Sequence, residues 1–404
     1  MPSSYYTAKC NIFQGLLAFL NRLLYNLRME NLLELRDKID KIDNQIVSLY
    51  EERMKIAEGV ARFKIATGKN VFDREREASK LNTLSSKASS EFTKVGIVEL
   101  FEHIMAVSRK RQYQLLTENG LVETPELETV KDFMLPNARI VFQGVEGAYS
   151  QQAMTEYFGK DCDSFHVESW KDAMEAIKNG EADFAVLPIE NSTAGIVSEN
   201  YDLLVEYDNY IVGEQVIEIK HALLGLQEAQ LEDVTTVYSH PQALMQCSDF
   251  LYEHSEWEKI SLKNTAVSAK KVMEESDKSH AAIASTLTAE LYGLKVLNEN
   301  ISNTQNNATR FIIVTNKRIC ADTANKVSIC FEVAHESGSL YHMLSHFIYN
   351  NINMTNIQSR PIKGKNWEYR FFVDFEGRLE DTGVINALRG IKEEATSMKI
   401  LGTY

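Results

Sequence analysis

The sequence predicts a multidomain chain with an all-α N-terminal region, a two-lobed α/β centre and an α+β ferredoxin-like C-terminal block. Three observations predict it. Apolar residues recur at spacings of three and four from Met29 to about Ile65, with charges between them, as on one face of a single long helix. Between residues 138 and 316 short apolar runs alternate with helical segments. From Lys326 to the end the pattern reads βαββαβ, the split-βαβ unit. At 404 residues the chain is too long for one core, given domains of about 100–200 residues.

Residues 1–28 carry Lys9, Arg22 and Arg28 and no acid. Their apolar run GLLAFL is far short of the ~20 residues that span a bilayer, so a weakly ordered extension is expected. After the long helix a break at TGKN (67–70) precedes a second helix from about Asp73 and a third from about Thr93 to Leu116. Three helices with one very long member cannot bury that member's stripe, and the region 29–116 is expected to dimerise. Residues 117–137 are polar, acidic and contain two of the six prolines, which reads as a linker.

In the centre the runs ARIVFQG, ADFAVLPIE, VTTVYS, AAIAS and RFIIV read as strands, and SWKDAMEAIKNG and TAVSAKKVMEES as helices. The alternation predicts parallel strands with crossover helices, and ligands at the carboxyl ends of strands. The C-terminal block (326–404) comprises KVSICFEVA, SLYHMLSHFIYNN, MTNIQSR, WEYRFFVDFE, TGVINALRGIKEEA and MKILGTY, and its size fits an appended regulatory module.

A net charge of −14 argues against general affinity for nucleic acid, so any anion site must be a local cluster of cations. Five scattered cysteines without a CxxC pair read as reduced thiols of a cytoplasmic protein. His335, His342 and His346 have helical spacing, but three histidines on a polar helix face read as surface; no metal or cofactor is expected.

Arg53 and Lys64, eleven residues apart, share nearly one face of the long helix about 16 Å apart. Arg36 lies about 25 Å beyond Arg53, so one small ligand reaches Arg36 only if a second chain supplies it. VFDRERE adds Asp73, Arg76 and Glu77, while Ser108 and Gln112 share a face at i, i+4. On spacing alone these are equally exposed salt-bridging positions. The run LLELRDKID, EERMKIAEGVARFK, VFDRERE, Ser108 and Gln112 resembles the all-helical chorismate mutases over about residues 29–116. The resemblance implies long helices of two chains intertwined, and a site from Arg36 of a partner with Arg53, Lys64, Asp73, Arg76, Glu77, Ser108 and Gln112. The rearrangement of chorismate to prephenate is pericyclic. It calls for a compact conformer and stabilised charge on the breaking ether oxygen, not for a nucleophile. Arginine forks at 36 and 53 suit the two carboxylates, Lys64 and Gln112 the ether oxygen, and Glu77 the ring hydroxyl.

Four central stretches stand out: GVEGAYS (144–150), PIENSTAG (188–195), SHPQALMQC (239–247) and NATRFIIV (307–314). By themselves PIENS fits a turn with a helix cap as well as a ligand loop, and SHPQ fits a helix start with His240 as a structural hydrogen bonder. In this order the four resemble prephenate dehydratase, with TRF as the most specific signature. The resemblance implies substrate contacts from Glu190, Asn191, Ser192, Thr193, His240, Gln242, Thr309, Arg310 and Phe311. Thr309 is implied as the catalytic residue, assisting the ring hydroxyl to leave as carbon dioxide departs and phenylpyruvate forms. Glu190 and His240 are both candidates for the proton. Arg310 either binds a substrate carboxylate or braces the loop.

The final block resembles an ACT regulatory domain whose phenylalanine contacts read GSLY (Gly338, Ser339, Leu340, Tyr341) and QSRP (Gln358, Ser359, Arg360, Pro361). That family more usually has G-A-L-V and E-S-R-P, so Ser339, Tyr341 and Gln358 depart from it. The joint order resembles the bifunctional chorismate mutase/prephenate dehydratases, or P-proteins, which implies homodimers or higher homo-oligomers that take chorismate and prephenate and respond to L-phenylalanine. The competing readings are an arogenate-preferring dehydratase and a non-catalytic amino-acid-sensing protein.

Overall fold

The computed structural model describes residues 32–121, 127–131 and 138–404, and the expected N-terminal extension lies outside them. The chain divides into two compact units after Leu116.

In the first unit, α1 (Leu32–Thr67) has no proline and a single glycine, and runs about 54 Å at 1.5 Å per residue. Only Ala57 and Ala61 of α1 are buried, while Leu33, Ile39, Ile42, Ile46 and Ile56 stand exposed. The stripe read from the sequence is therefore uncovered among the described residues. α2 (Arg74–Ser85) starts where the Asp73 side chain accepts the Arg76 amide at 3.1 Å, satisfying an otherwise orphaned donor. α3 (Glu91–Glu118) packs its C-terminal half inward, burying Met105, Ser108, Gln112 and Tyr113.

The second unit opens with β1 (Glu128–Val130), so the expected linker is not wholly without structure. Then follow β2 (Arg139–Gln143), α4 (Tyr149–Phe158), β3 (Asp163–Val167), α5 (Trp170–Lys178), β4 (Phe184–Asn191), β5 (Gly195–Ile196), α6 (Ser198–Glu206) and β6 (Tyr210–Glu218). The chain next builds a second lobe: β7 (Ala222–Gly225), β8 (Thr236–Ser239), α7 (Pro241–Gln246), α8 (Ser248–Glu253), β9 (Glu258–Ser261), α9 (Thr265–Glu275), β10 (His280–Ala284), α10 (Thr286–Tyr292) and β11 (Lys295–Asn298). It returns through β12 (Ala308–Thr315), and β13 (Ile319–Ala321) pairs in parallel with β1.

The expected parallel strands with crossover helices form only part of each sheet. β3-β2-β4 and β9-β8-β10 are parallel, but β12 lies antiparallel between β4 and β6, and β7 is antiparallel to β10 and β11. The reason is connectivity: β6 leaves the first lobe, and the strand that brings the chain back beside it must run the other way. Both faces of the first-lobe sheet are apolar and covered, with Val141, Leu187 and Ile312 on one side and Phe142, Phe184 and Ile313 on the other.

The last block is β14 (Lys326–Glu332), α11 (Ser339–Tyr349), β15 (Met354–Pro361), β16 (Tyr369–Glu376), α12 (Thr382–Glu394) and β17 (Ser397–Thr403). Its antiparallel order β15-β16-β14-β17 is the ferredoxin-like arrangement, over a core of Phe331, Phe347, Phe375 and Ile391. The block is not an isolated appendage, because β17 joins β6 in parallel at Gly402 and Ile211. A Cβ at Gly402 would sit 2.0 Å from the Ile211 carbonyl oxygen, so glycine permits this junction. His346 is also not a surface residue. It is 1% exposed on the inner face of α11 beside Met343 and Phe347, with Nε2 3.2 Å from the Glu394 carboxylate.

Candidate active sites

In the helical unit, a cavity of about 430 Å³ is lined by Arg53, Lys64, Asp73, Arg76, Glu77, Ser108 and Gln112, seven of the eight positions expected from the sequence. Ile56, Val60 and Met105 supply its apolar wall, and Lys80, which the sequence reading missed, adds a cation. Lys80 follows Arg76 at i+4, the one signal that was available. Two anions in the cavity are already engaged: Asp73 caps α2, and Glu77 is ion-paired to buried Arg109. Arg53, Lys64, Arg76 and Lys80 thus leave the cavity positive. Burial lowers the Arg53 pKa from its usual value, with Glu77 and Tyr50 opposing, and its Nη1 is buried with no hydrogen-bond partner among the described residues. Gln112 Oε1 is likewise buried and unpartnered. Such orphaned polar atoms are costly unless a ligand meets them. Lys64 donates to the Val71 carbonyl at 2.5 Å, which draws its ammonium toward the loop before α2. Arg36 is exposed and outside this cavity, as its distance along α1 requires.

The second cavity, about 380 Å³, lies between the two lobes. GVEGAYS forms one wall. Gly144 and Gly147 take φ of +125° and +85°, and the loop is tied to the second lobe by Thr288 donating to the Gly147 carbonyl at 2.9 Å. Residues at the N-termini of α4 (Tyr149, Ser150), α7 (His240, Gln242) and α9 (Asn264, Thr265) line the cavity, and their partial positive charge favours an anion. Thr309, Asn191 and Phe311 complete it from β12 and β4.

Asn191 sets the chemistry of Thr309. Its Oδ1 accepts from the Thr193 amide and hydroxyl and the Ala194 amide at 3.1, 2.8 and 2.9 Å. Its Nδ2 therefore faces β12 and donates to Thr309 Oγ1 at 2.9 Å. With its oxygen accepting, the buried Thr309 hydroxyl keeps its proton for a group in the cavity. His240 Nδ1 accepts the Gln242 amide at 3.2 Å, so a neutral ring carries its proton on Nε2.

Four expected contacts are not brought to this cavity. Arg310 and Glu190 face the other side of the sheet, where they meet at 3.5 Å. Side chains alternate along a strand, so Thr309 and Phe311 exclude Arg310 from their face. Ser192 bonds to the backbone of Asn306 and Ala308, and Thr193 supports Asn191 from behind. Sequence reasoning missed Gln246, Tyr149 and His221. Gln246 donates to Thr193 at 2.7 Å and meets His221 Nε2 at 3.0 Å, with Tyr149 3.3 Å from the other ring nitrogen. Gln246 stands four residues after Gln242, a helical spacing that was available. His221 belongs to no motif. In the last block, Gly338 takes φ +82° at the start of α11, followed by Ser339 and Leu340. Gln358, Ser359, Arg360 and Pro361 end β15, with Arg360 bidentate to Asp202 at 3.2 and 2.7 Å.

Burial lowers the pKa of His221, opposed by the Gln246 hydrogen bond, and burial also lowers that of His240. On acidification the unfolded chain takes up these protons first, near the ordinary value of 6.5, so stability rises with pH through this range and is lost below it. Thermal unfolding from pH 8 to 5 is expected to show a midpoint falling below about pH 6.5, and a shallower fall for His221→Gln. Parallel curves would exclude His221 as a source.

A family model described as chorismate mutase type II matches residues 35–113, and one described as prephenate dehydratase matches 140–319. The chain is 34% identical over 382 residues to the bifunctional chorismate mutase/prephenate dehydratase of Enterobacter agglomerans, covering 92% of this chain and 95% of the relative. Among solved structures, prephenate dehydratase from Arthrobacter aurescens in complex with L-Phe is 28% identical with a TM-score of 0.61, covering 66% of this chain and 89% of that one. GqqA, described as a novel type of quorum quenching acylases, is 30% identical with a TM-score of 0.61, covering 66% and 97%. Fold, cavities and relatives define a two-site enzyme, an isomerase joined to a lyase. The chain belongs to the bifunctional chorismate mutase/prephenate dehydratase family.

Proposed function

We propose that the helical cavity converts chorismate to prephenate, and that the interlobe cavity converts prephenate to phenylpyruvate with loss of water and carbon dioxide. The product serves L-phenylalanine synthesis, and phenylalanine acts back through the C-terminal block as an ACT domain. The observation that carries this reading is the convergence of seven mutase positions on one positive cavity with an orphaned Arg53 nitrogen.

In the mutase step Arg53, with Arg36 from a second copy, holds the carboxylates in the compact conformer. Lys64 and Gln112 meet the ether oxygen as charge builds there, and Glu77 meets the ring hydroxyl. Gln112 donates to that oxygen only with its amide turned, a choice the orphaned Oε1 favours. In the dehydratase step the Thr309 hydroxyl donates a hydrogen bond to the departing ring oxygen while the ring carboxylate leaves as carbon dioxide, its bonding electron pair passing into the ring as the protonated hydroxyl departs as water. His240 is the better placed of the two proton candidates, because its Nε2–H lies on a residue of the cavity and Glu190 does not.

The exposed stripe on α1 supports a homodimer, and free Cys162, Cys247, Cys320 and Cys330 support a cytoplasmic setting. Purified protein given chorismate is expected to yield prephenate and then phenylpyruvate, with added phenylalanine slowing the second product. Formation of neither product would overturn the reading. Faster turnover of arogenate than of prephenate would reassign the dehydratase substrate.

A further inference from the structure

We propose that Arg310 is a positioning residue for dehydration: the C-terminal block, through Asp374, grips its guanidinium and so fixes the strand segment that carries Thr309. The inference rests on the reading of Thr309 as the residue that assists the leaving hydroxyl.

Arg310 stands next to Thr309 on β12 and points away from the cavity. Its Nη1 and Nη2 both lie 3.1 Å from Asp374 Oδ2, on β16 of the C-terminal block. Glu214 of β6 receives Nη1 at 3.3 Å and Glu190 of β4 lies 3.5 Å from Nη2. Burial works against the charge of Arg310, but the surrounding anions, Asp374 foremost, outweigh it and raise its pKa. Asp374 is itself held, accepting from Ser328 at 2.5 Å and from Asn356 at 3.3 Å. Asn356 accepts in turn from Gln358 at 3.2 Å. Four side chains in series therefore run from the QSRP segment of the C-terminal block to the neighbour of Thr309.

Two features make this more than bracing. The pairing of β12 with β4 shifts register between Arg310 and Phe311, so on that side the backbone ladder is irregular one residue from Thr309. A second, external hold on Arg310 supplies orientation where the ladder is least regular. The hold is also chemically specific: a planar fork against a carboxylate fixes direction as well as distance, whereas apolar packing would serve stability alone at lower desolvation cost. Gln358 matters to the same series. A carboxylate there could only accept, and would draw the Asn356 amide donor away from Asp374.

The test uses the full-length chain. Asp374→Asn keeps shape and removes charge, and Arg310→Lys keeps charge and removes the fork; neither residue lines the interlobe cavity. In each, the dehydratase kcat is expected to fall on the order of ten- to a hundredfold, the scale of misplacing a reacting group by ~1 Å, with KM altered far less. The double variant is expected to be no slower than the worse single one, as for partners in one interaction. The mutase rate of the same samples and the unfolding midpoint report folding. Wild-type dehydratase kcat in Arg310→Lys, whatever the midpoint, would overturn the proposal, as would independent additive losses in the double variant. If Asp374→Asn does not fold, Arg310→Lys alone decides. Thr309→Ala measured alongside separates the two levels: full activity there would sink the reading of the site, and loss there with full activity in Arg310→Lys would sink only the positioning role.

Discussion

Lys64→Ala is expected to lower the mutase kcat by about 10²- to 10³-fold, the scale of removing one donor from developing negative charge, while the dehydratase rate stays at wild type. The pericyclic step has no covalent intermediate to rescue, so its rate depends on how well the ether oxygen is met as its bond breaks. Lys64 is the cation of α1 nearest the loop before α2, held there by the Val71 carbonyl. Arg53, Arg76 and Lys80 remain in the cavity of the variant and still bind an anion. The loss should therefore fall on kcat more than on KM. Initial rates on chorismate and on prephenate with one preparation give both numbers. Equal loss of both activities would show that the assignment is wrong or that the two units depend on each other.

Thr309→Ala is expected to do the reverse, with the dehydratase slowed by about 10²-fold or more and the mutase unchanged. The magnitude follows from the hydroxyl's geometry. Asn191 occupies its oxygen as donor, so the proton has one productive direction, and alanine deletes that donor without disturbing the ladder of β12. Thr309→Ser restores the hydroxyl and is expected to recover much of the rate, which distinguishes a lost hydrogen bond from lost packing. An unchanged dehydratase rate in Thr309→Ala would remove Thr309 from the mechanism.

The helices were legible because periodicity and caps are local. The long stripe, the break before Asp73 and the i, i+4 pair Ser108 and Gln112 all sit where the sequence put them. The direction of β12 was not legible, since antiparallel pairing follows from the chain's excursion through a second lobe and not from the composition of RFIIV. The polarity of His346 points to the surface, but the apolar face it shares with Met343 and Phe347 takes it inside. The placement of Arg310 and Glu190 departs from expectation for a related reason. Their residue types suit an anion site, but the period of two that governs a strand puts Arg310 on the face opposite Thr309. His221 had no signal, because the fold alone brings it beside Gln246 and Tyr149.

The junction of β17 with β6 has a bearing on where this chain tolerates being cut. Leu401, Cys330 and Phe372 from the C-terminal block share one apolar core with Leu187, Leu204 and Ile312 of the first lobe. A version ending after β12 would strip that core of one wall and bare the start of β6, which β17 meets at the single pair Gly402 and Ile211. The C-terminal block thus covers apolar surface that a shortened chain would present to its neighbours. A dehydratase fragment made for expression would need polar residues on that uncovered face to stay in solution.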